Sequence, residues 1–173
     1  MYFTVSHDFD APLDAVEQAA LSPELPELLV AGVRGLGSVH ALESRAEDGE
    51  LRRVLRFQAS ASLPLLGRRR TSPDRPSWEQ HLGYRLLDHQ ANWSIVPAGE
   101  RDEHAAWRRY FRSEGTYRLD PIPGGRTRRS VAGRIEVRLP VLGPALERFA
   151  VSKVRRIYDA EAEALCRLCE RAS

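Results

Sequence analysis

The chain has 173 residues, of which 42% are hydrophobic and 29% are charged. These values fit a single globular domain over residues 1–173 that can bury a core of its own without disulfides or a metal. The 26 basic and 24 acidic residues leave a formal charge of only +2, which argues against nucleic acid as a partner. No stretch approaches the roughly 18 apolar residues of a membrane span, and no secretory signal is visible, so a cytoplasmic location is expected.

The chain begins with the pattern of a strand followed by two short helices. Phe3, Val5 and Phe9 alternate with polar residues, which predicts a half-buried strand over residues 2–9. Apolar residues then recur at helical spacing over residues 13–21. A second helical signal follows, but Pro26 limits it to a short helix that ends near Val30.

The middle of the chain has the pattern of six strands joined mostly by tight turns. A hairpin is predicted around Asp48-Gly49, and a second one around Gly124-Gly125. The clearest alternation of apolar and charged residues lies in the last strand, from Val131 to Leu139. The predicted strands cover residues 38–46, 51–63, 78–86, 92–96, 107–119 and 131–139.

The last segment, after Pro140, predicts a long amphipathic helix with one apolar side and one charged side. A helix of this length needs a large surface to pack against, and the sheet provides one. The order of elements therefore indicates an α+β fold in which a curved antiparallel sheet of about seven strands wraps around a long C-terminal helix.

Several short motifs carry a family resemblance over nearly the whole chain. They are His7-Asp8-Phe9-Asp10-Ala11-Pro12, Trp78-Glu79, Trp93-Ser94-Ile95-Val96-Pro97, Gly115-Thr116-Tyr117, Gly124-Gly125-Arg126-Thr127 and the run from Ile135 to Gly143. In these motifs the sequence resembles an uncharacterised bacterial branch of the START-like, Bet v 1-like (SRPBCC) superfamily, which has the helix-grip fold. The motifs mark strands and turns, so the resemblance supports the fold and identifies no catalytic group.

The resemblance implies a cavity between the sheet and the C-terminal helix that holds a hydrophobic small molecule, such as a lipid, a sterol-like compound or a polyketide. Small residues on the inner strand faces, such as Gly115 and Gly133, are compatible with a void. They are equally compatible with close packing or strand bending. The predicted lining consists of His7, Leu55, Phe57, Ala59, Tyr84, Trp107, Arg109, Phe111, Tyr117, Val131, Gly133, Ile135, Phe149 and Ile157.

Two polar residues of this lining, His7 and Arg109, could orient the carboxylate, phosphate or hydroxyl of a ligand. The alternative is that His7 is satisfied within the protein and that Arg109 pairs with a carboxylate or lies outside the sheet. No catalytic set is visible. The histidines and the pair Cys166 and Cys169 lack the spacing of a metal site, so neither a metal nor a cofactor is predicted.

The loop that contains Arg68, Arg69 and Arg70 is the only tight basic run, and it suggests either a transient membrane contact or a solvated loop. Three functions remain open from the sequence. The first is binding of a hydrophobic molecule without catalysis. The second is an enzyme of the cyclase, aromatase or hydratase type, in which one or two polar groups transfer protons. The third is a partner-binding module whose cavity is filled by side chains.

Overall fold

The computed structural model describes residues 1–60, 77–98, 110–139 and 143–172. In these residues a seven-stranded antiparallel sheet is combined with two short helices and one helix of 30 residues. The elements in chain order are β1 (Tyr2–Phe9), α1 (Leu13–Leu21), α2 (Leu25–Gly32), β2 (Leu36–Glu47), β3 (Glu50–Ala59), β4 (Ser77–Arg85), β5 (Gln90–Ala98), β6 (Phe111–Ile122), β7 (Arg126–Val137) and α3 (Gly143–Ala172).

The strands lie in the order β1-β7-β6-β5-β4-β3-β2, so β1 and β2 form the two edges of the sheet. The β2–β3 hairpin closes at Asp48 and Gly49, whose φ angles are 51° and 79°. Positive φ at both central residues is the geometry of a tight hairpin turn, and Asp-Gly is one of the few pairs that adopt it readily. The sequence therefore predicted this turn from its residue types alone.

One face of the sheet is directed inward because side chains alternate along each strand. An inward-facing row crosses the sheet from Arg53 on β3 to Phe3 on β1, by way of Leu82, Trp93, Gly115 and Gly133. The helix α3 packs against β1, β7, α1 and α2. The buried side chains of α3 include Val151, Tyr158, Leu165 and Leu168. The half of the sheet formed by β1 and β7 is thus the half that α3 covers.

The predicted helix-grip architecture is confirmed, with small differences at the ends of elements. The strand β5 continues to Ala98, beyond the predicted end at residue 96, and therefore includes Pro97. On the β4 side, Pro97 lies opposite Trp78 in the antiparallel register. The predicted strand residues 61–63 and 107–109 lie outside the described residues.

Candidate functional site

A small cavity lies inside the fold, between the inward face of the sheet and the helices α1 and α3. Its volume of about 20 Å³ is enough for one water molecule. Strands β3, β4, β5 and β6 contribute most of its wall, and α1 and α3 complete it. The lining consists of Glu17, Ala20, Leu21, Arg53, Gln80, Leu82, Tyr84, Trp93, Tyr117, Tyr158 and Glu161. The interior cavity is therefore lined by tyrosines and charged groups as well as by apolar side chains.

Arg129 on β7 is a cation in the interior, and none of its side chain is exposed. Its Nη1 donates a hydrogen bond of 2.8 Å to Oε2 of Glu161, and its Nη2 donates one of 2.7 Å to the backbone carbonyl of Tyr158. The guanidinium carbon also lies 5.6 to 6.0 Å from the ring centroids of Phe9, Tyr117 and Tyr158. The carboxylate and the ring faces compensate the loss of water around this charge.

His7 on β1 lies beside Arg129, and its two ring nitrogens have different partners. Nδ1 is 3.0 Å from Nη2 of Arg129, and Nε2 is 3.0 Å from Oδ1 of Asp159 on α3. An arginine can only donate, so we assign Nδ1 as the acceptor and Nε2 as the protonated nitrogen that donates to Asp159. Both nitrogens of His7 are thus satisfied by groups of the protein.

Arg53 and Tyr117 line the interior cavity and each has a buried polar atom without a hydrogen-bond partner. Arg53 donates from Nη1 to the carbonyl of Ala20 at 2.7 Å, but its Nε is unpaired within the described residues. The hydroxyl of Tyr117 has no hydrogen bond of normal geometry among the residues described, although it lies near the guanidinium of Arg129. Because arginine can only donate, the hydroxyl hydrogen of Tyr117 remains available. Burial lowers the pKa of Arg53 and raises the pKa of Tyr117. Two hydrogen-bond donors are therefore available to an acceptor in the cavity.

Glu17 on α1 connects the interior cavity to the surface. Its Oε1 accepts a hydrogen bond of 2.5 Å from the hydroxyl of Tyr84 and lies 2.8 Å from Nδ1 of His89. Glu17 and Tyr84 line the cavity, whereas His89 is partly exposed at the β4–β5 turn. Burial is the main cause of the raised pKa of Tyr84, and the hydrogen bond to Glu17 adds to it. The tyrosine thus stays protonated as a donor.

Trp93 occupies the space above the two glycines that suggested a void. A Cβ atom at Gly115 would lie 2.5 Å from Cζ2 of Trp93, and one at Gly133 would overlap the same ring atom. The indole Nε1 donates to the carbonyl of Thr116 at 3.2 Å, which holds the ring across β6 and β7. Gly115 and Gly133 therefore leave room for an aromatic ring. Of the two alternatives, a void or close packing, close packing applies here.

The structure places most of the predicted lining residues inside, but few of them at the cavity. Tyr84 and Tyr117 line it. Four others are buried elsewhere in the core, namely Leu55, Phe57, Val131 and Ile135. Three are half-buried, namely Ala59, Phe111 and Ile157. Gly133 lies under Trp93, and His7 contacts Arg129. Phe149 differs from the prediction, because half of its side chain is exposed and its ring lies beside Lys153 on the outer side of α3. Trp107, Arg109 and the loop of Arg68 to Arg70 lie outside the described residues.

The charged residues of the interior were missed in the sequence, although part of the signal was present. Arg53 stands two positions before Leu55, and Arg129 stands two positions before Val131, so strand alternation places both on the inward face. Glu161 follows Ile157 by one helical turn. Periodicity thus assigns these residues to the inward side. Their partners become visible only in the folded chain.

A second, open concavity of about 680 Å³ lies on the outward face of the sheet. Its outward-facing lining includes Glu43, Glu50, Arg52, His81, Asn92 and Glu114. The charges are of both signs, and Arg52 and Glu50 form an ion pair of 3.6 Å. This polar surface does not suit an apolar ligand.

None of the helices in the described residues is long and apolar enough to cross a membrane. No group of three or more histidine, cysteine, aspartate or glutamate side chains in that part of the chain has the arrangement of a metal site.

Comparisons with known proteins agree with the helix-grip architecture. A family model described as "Protein of unknown function (DUF2505)" matches residues 4–168. No match was found among the curated proteins.

Several solved structures are similar in fold. The Zhui aromatase/cyclase from Streptomyces sp. R1128 has 14% identity and a TM-score of 0.65 over 99% of this chain and 94% of that chain. A START superfamily protein from Mycobacterium smegmatis has 16% identity and a TM-score of 0.59 over 99% of both chains. Ara h 8.0201 has 11% identity and a TM-score of 0.62 over 95% of this chain and 97% of that chain. The predicted START-like, Bet v 1-like fold is therefore confirmed, and at these identities the similarity concerns the fold alone.

Proposed function

Because the chain belongs to the DUF2505 family, whose function is unknown, we propose a function from the interior of this protein. It binds a small molecule that has an apolar ring or chain and one hydrogen-bond acceptor oxygen. The oxygen accepts from Nε of Arg53 and from the hydroxyl of Tyr117. The apolar part packs against Leu82 and Trp93. The sequence analysis suggested a hydrophobic ligand. The present proposal adds that this ligand has a polar end.

The observation that carries this proposal is the pair of unpaired donors at one cavity. A buried donor without a partner costs about 1 to 3 kcal/mol, so two of them at one cavity favour an acceptor there. Nε of Arg129 and the hydroxyl of Ser113 are also unpaired within the described residues, but these two residues do not line the cavity. One water molecule can fill the present volume of about 20 Å³. A ligand of several atoms displaces that water and supplies the acceptor oxygen itself.

Binding of such a ligand includes a widening of the cavity. The side chains of Leu21, Leu82 and Trp93 form its apolar wall, and these must move to admit a ring. Opening of the cavity costs free energy, because only a fraction of the free protein is in the open state. This cost makes the observed free energy of binding less favourable. The ligand therefore binds more weakly than its buried apolar area alone indicates.

The test begins with native mass spectrometry of the protein purified from its own cells, followed by extraction and identification of any bound molecule. The substitution Tyr117→Phe then removes one unpaired hydroxyl. We expect unchanged or slightly higher stability of the free protein and an affinity for the identified molecule that is lower by about tenfold. The control is Tyr2→Phe, because Tyr2 is exposed. Equal affinity of the Tyr117→Phe variant and the wild type would refute the assigned contact.

A second candidate function, an enzyme of the cyclase type, is favoured by the connection through Glu17. A substrate in the cavity would lie beside Tyr84 and Glu17, and the contact of Glu17 with the partly exposed His89 offers a path for a proton to solvent. In this hypothesis Glu17 is the general base. The substitution Glu17→Gln should then abolish turnover of the extracted molecule while its binding persists. If Glu17→Gln leaves turnover unchanged, this candidate is excluded.

The third possibility is a partner-binding module. It becomes the better explanation if the purified protein has the mass of the free chain alone and if no lipid or polyketide raises its melting temperature. The interior charges would then serve the stability of the fold alone.

A further inference from the structure

The outer side of α3 carries an unusual concentration of positive charge in its N-terminal half. Arg148, Lys153, Arg155 and Arg156 are all exposed, and with Phe149 they fall on one side of the helix at 100° per residue. We call these five residues the cationic stripe. Further along the same side, Asp159 and Glu163 are exposed before the next cation, Arg167, so the positive surface is interrupted in the middle of α3.

The charges of the cationic stripe are not neutralised by the protein. Within the described residues none of the four cations forms an ion pair. On the sheet, in contrast, arginines are paired closely with carboxylates, for example Arg128 with Asp8 at 2.7 Å. In a chain with a net charge of only +2, the stripe is therefore a local positive surface and does not reflect a generally basic protein.

Phe149 adds an apolar group to this surface. Half of its side chain is exposed, and Nζ of Lys153 lies 5.3 Å from the ring centroid. An exposed aromatic ring among cations is typical of helices that lie on a membrane surface, where the ring enters the boundary of the headgroups and the cations approach the phosphates. A purely electrostatic contact with a protein or nucleic acid has no need of the ring.

We propose that the cationic stripe binds an anionic phospholipid surface, with Phe149 inserted into the headgroup region. The attraction of four cations is weak and falls with ionic strength, so the contact is reversible. This surface lies on the outer side of α3, away from the interior cavity. The inference therefore stands independently of the ligand that we propose for the interior.

The experiment is co-sedimentation with phosphatidylcholine vesicles that either contain or lack phosphatidylserine, at low and at high salt. We expect binding only to vesicles with phosphatidylserine, and a loss of binding at high salt. The double variant Arg155→Glu/Arg156→Glu should bind at least about tenfold more weakly. Phe149→Ala should weaken binding several-fold and leave its dependence on salt unchanged.

The matched control is Arg34→Glu/Arg167→Glu, which makes the same change of charge at two exposed arginines without ion pairs outside the stripe. Circular dichroism and thermal melting show whether each variant is folded. If the glutamate pair unfolds, Arg155→Gln/Arg156→Gln replaces it. The proposal is overturned if phosphatidylserine has no effect at low salt, or if the control pair loses as much binding as the stripe pair. Binding to DNA through the same residues without binding to vesicles would also overturn it.

Discussion

Arg129 is a cation that is completely buried in the fold. The free energy of unfolding should therefore depend on its ion pair with Glu161. The guanidinium has no exposed surface, and the 2.8 Å hydrogen bond to Glu161 supplies its only ion pair within the described residues. Removal of one partner of a buried pair leaves an uncompensated charge. We expect Glu161→Gln to lower the free energy of unfolding by about 3 kcal/mol or more in urea denaturation.

The control for this prediction is Glu163→Gln, since Glu163 is exposed on the same helix and should change the free energy of unfolding by less than about 0.5 kcal/mol. The double variant Arg129→Met/Glu161→Leu removes both charges, so it should be more stable than Glu161→Gln alone. A loss below about 1 kcal/mol for Glu161→Gln would show that Tyr158 and His7 hold the cation without the carboxylate.

Gly133 is a second residue whose role depends on its neighbours, which are the indole of Trp93 and the ring of Phe3. A methyl group at this position overlaps Cζ2 of the indole. We expect Gly133→Ala to lower the free energy of unfolding by about 2 kcal/mol, because a well-packed core does not admit the extra carbon. Gly32→Ala is the matched control, because its Cβ would meet Ala160 at an ordinary 3.6 Å.

A double-mutant cycle separates this overlap from a general cost of alanine in the strand. If Trp93 is the cause, Gly133→Ala should be much less harmful in a Trp93→Leu background than in the wild type. Equal effects in both backgrounds would assign the cost to the contact with Phe3 or to the backbone of β7 instead.

At the scale of the element, the sequence predicted the strands and helices well and the polar interior poorly. Period-two alternation around Val131 and Ile135 identified the inward face of β7, and the Asp48-Gly49 turn fixed the β2–β3 hairpin. The same alternation places Arg129 inside. A charged residue is seldom buried unless it is paired, however, and its partner Glu161 is 32 residues away on another element. Pairings of this kind are set by tertiary packing, which no local pattern contains.

The start of α3 is tied to β7 by Glu147, and this contact predicts a dependence of stability on pH. The backbone N–H of Val137 donates to Oε1 of Glu147 at 3.0 Å, and the N-terminal ammonium group of Met1 lies 3.0 Å from Oε2. Both contacts, the first more strongly, lower the pKa of Glu147 from its ordinary value of 4.5. The stabilisation is therefore fully present above pH 4.5 and is lost as the pH falls through the lower pKa of the folded state.

The substitution Glu147→Gln tests this dependence. We expect it to cost about 1 kcal/mol near neutral pH, where the charge-assisted hydrogen bond is lost. The difference from the wild type should shrink as the pH is lowered below the ordinary pKa of glutamate, because the wild-type carboxyl is then protonated as well. Urea denaturation at a series of pH values measures it. A difference that stays constant over the whole series would mean that the charge of Glu147 has no part in the contact.

At the scale of the whole molecule, burial is distributed unevenly over the sheet. The strands β6, β7 and β1 carry the most completely buried side chains, among them Leu119, Val131 and Ile135, and α3 packs on this side. At the other edge, residues 40–47 of β2 are exposed on both faces. Local opening is easiest where few apolar contacts are lost, so the β2–β3 hairpin should be the less stable part of the sheet.

This asymmetry predicts where a ligand in the interior cavity would act. Arg53 lies on β3, whereas Tyr117 lies on β6, so a molecule that bonds to both would connect the less stable half of the sheet to the more stable half. In the free protein we expect amide hydrogens of the β2–β3 hairpin to exchange with solvent much faster than those of β7. Addition of the molecule identified by extraction should slow exchange in β3 more than in β7. If exchange in β3 is unchanged while the molecule is bound, then the molecule occupies another site and Arg53 does not contact it.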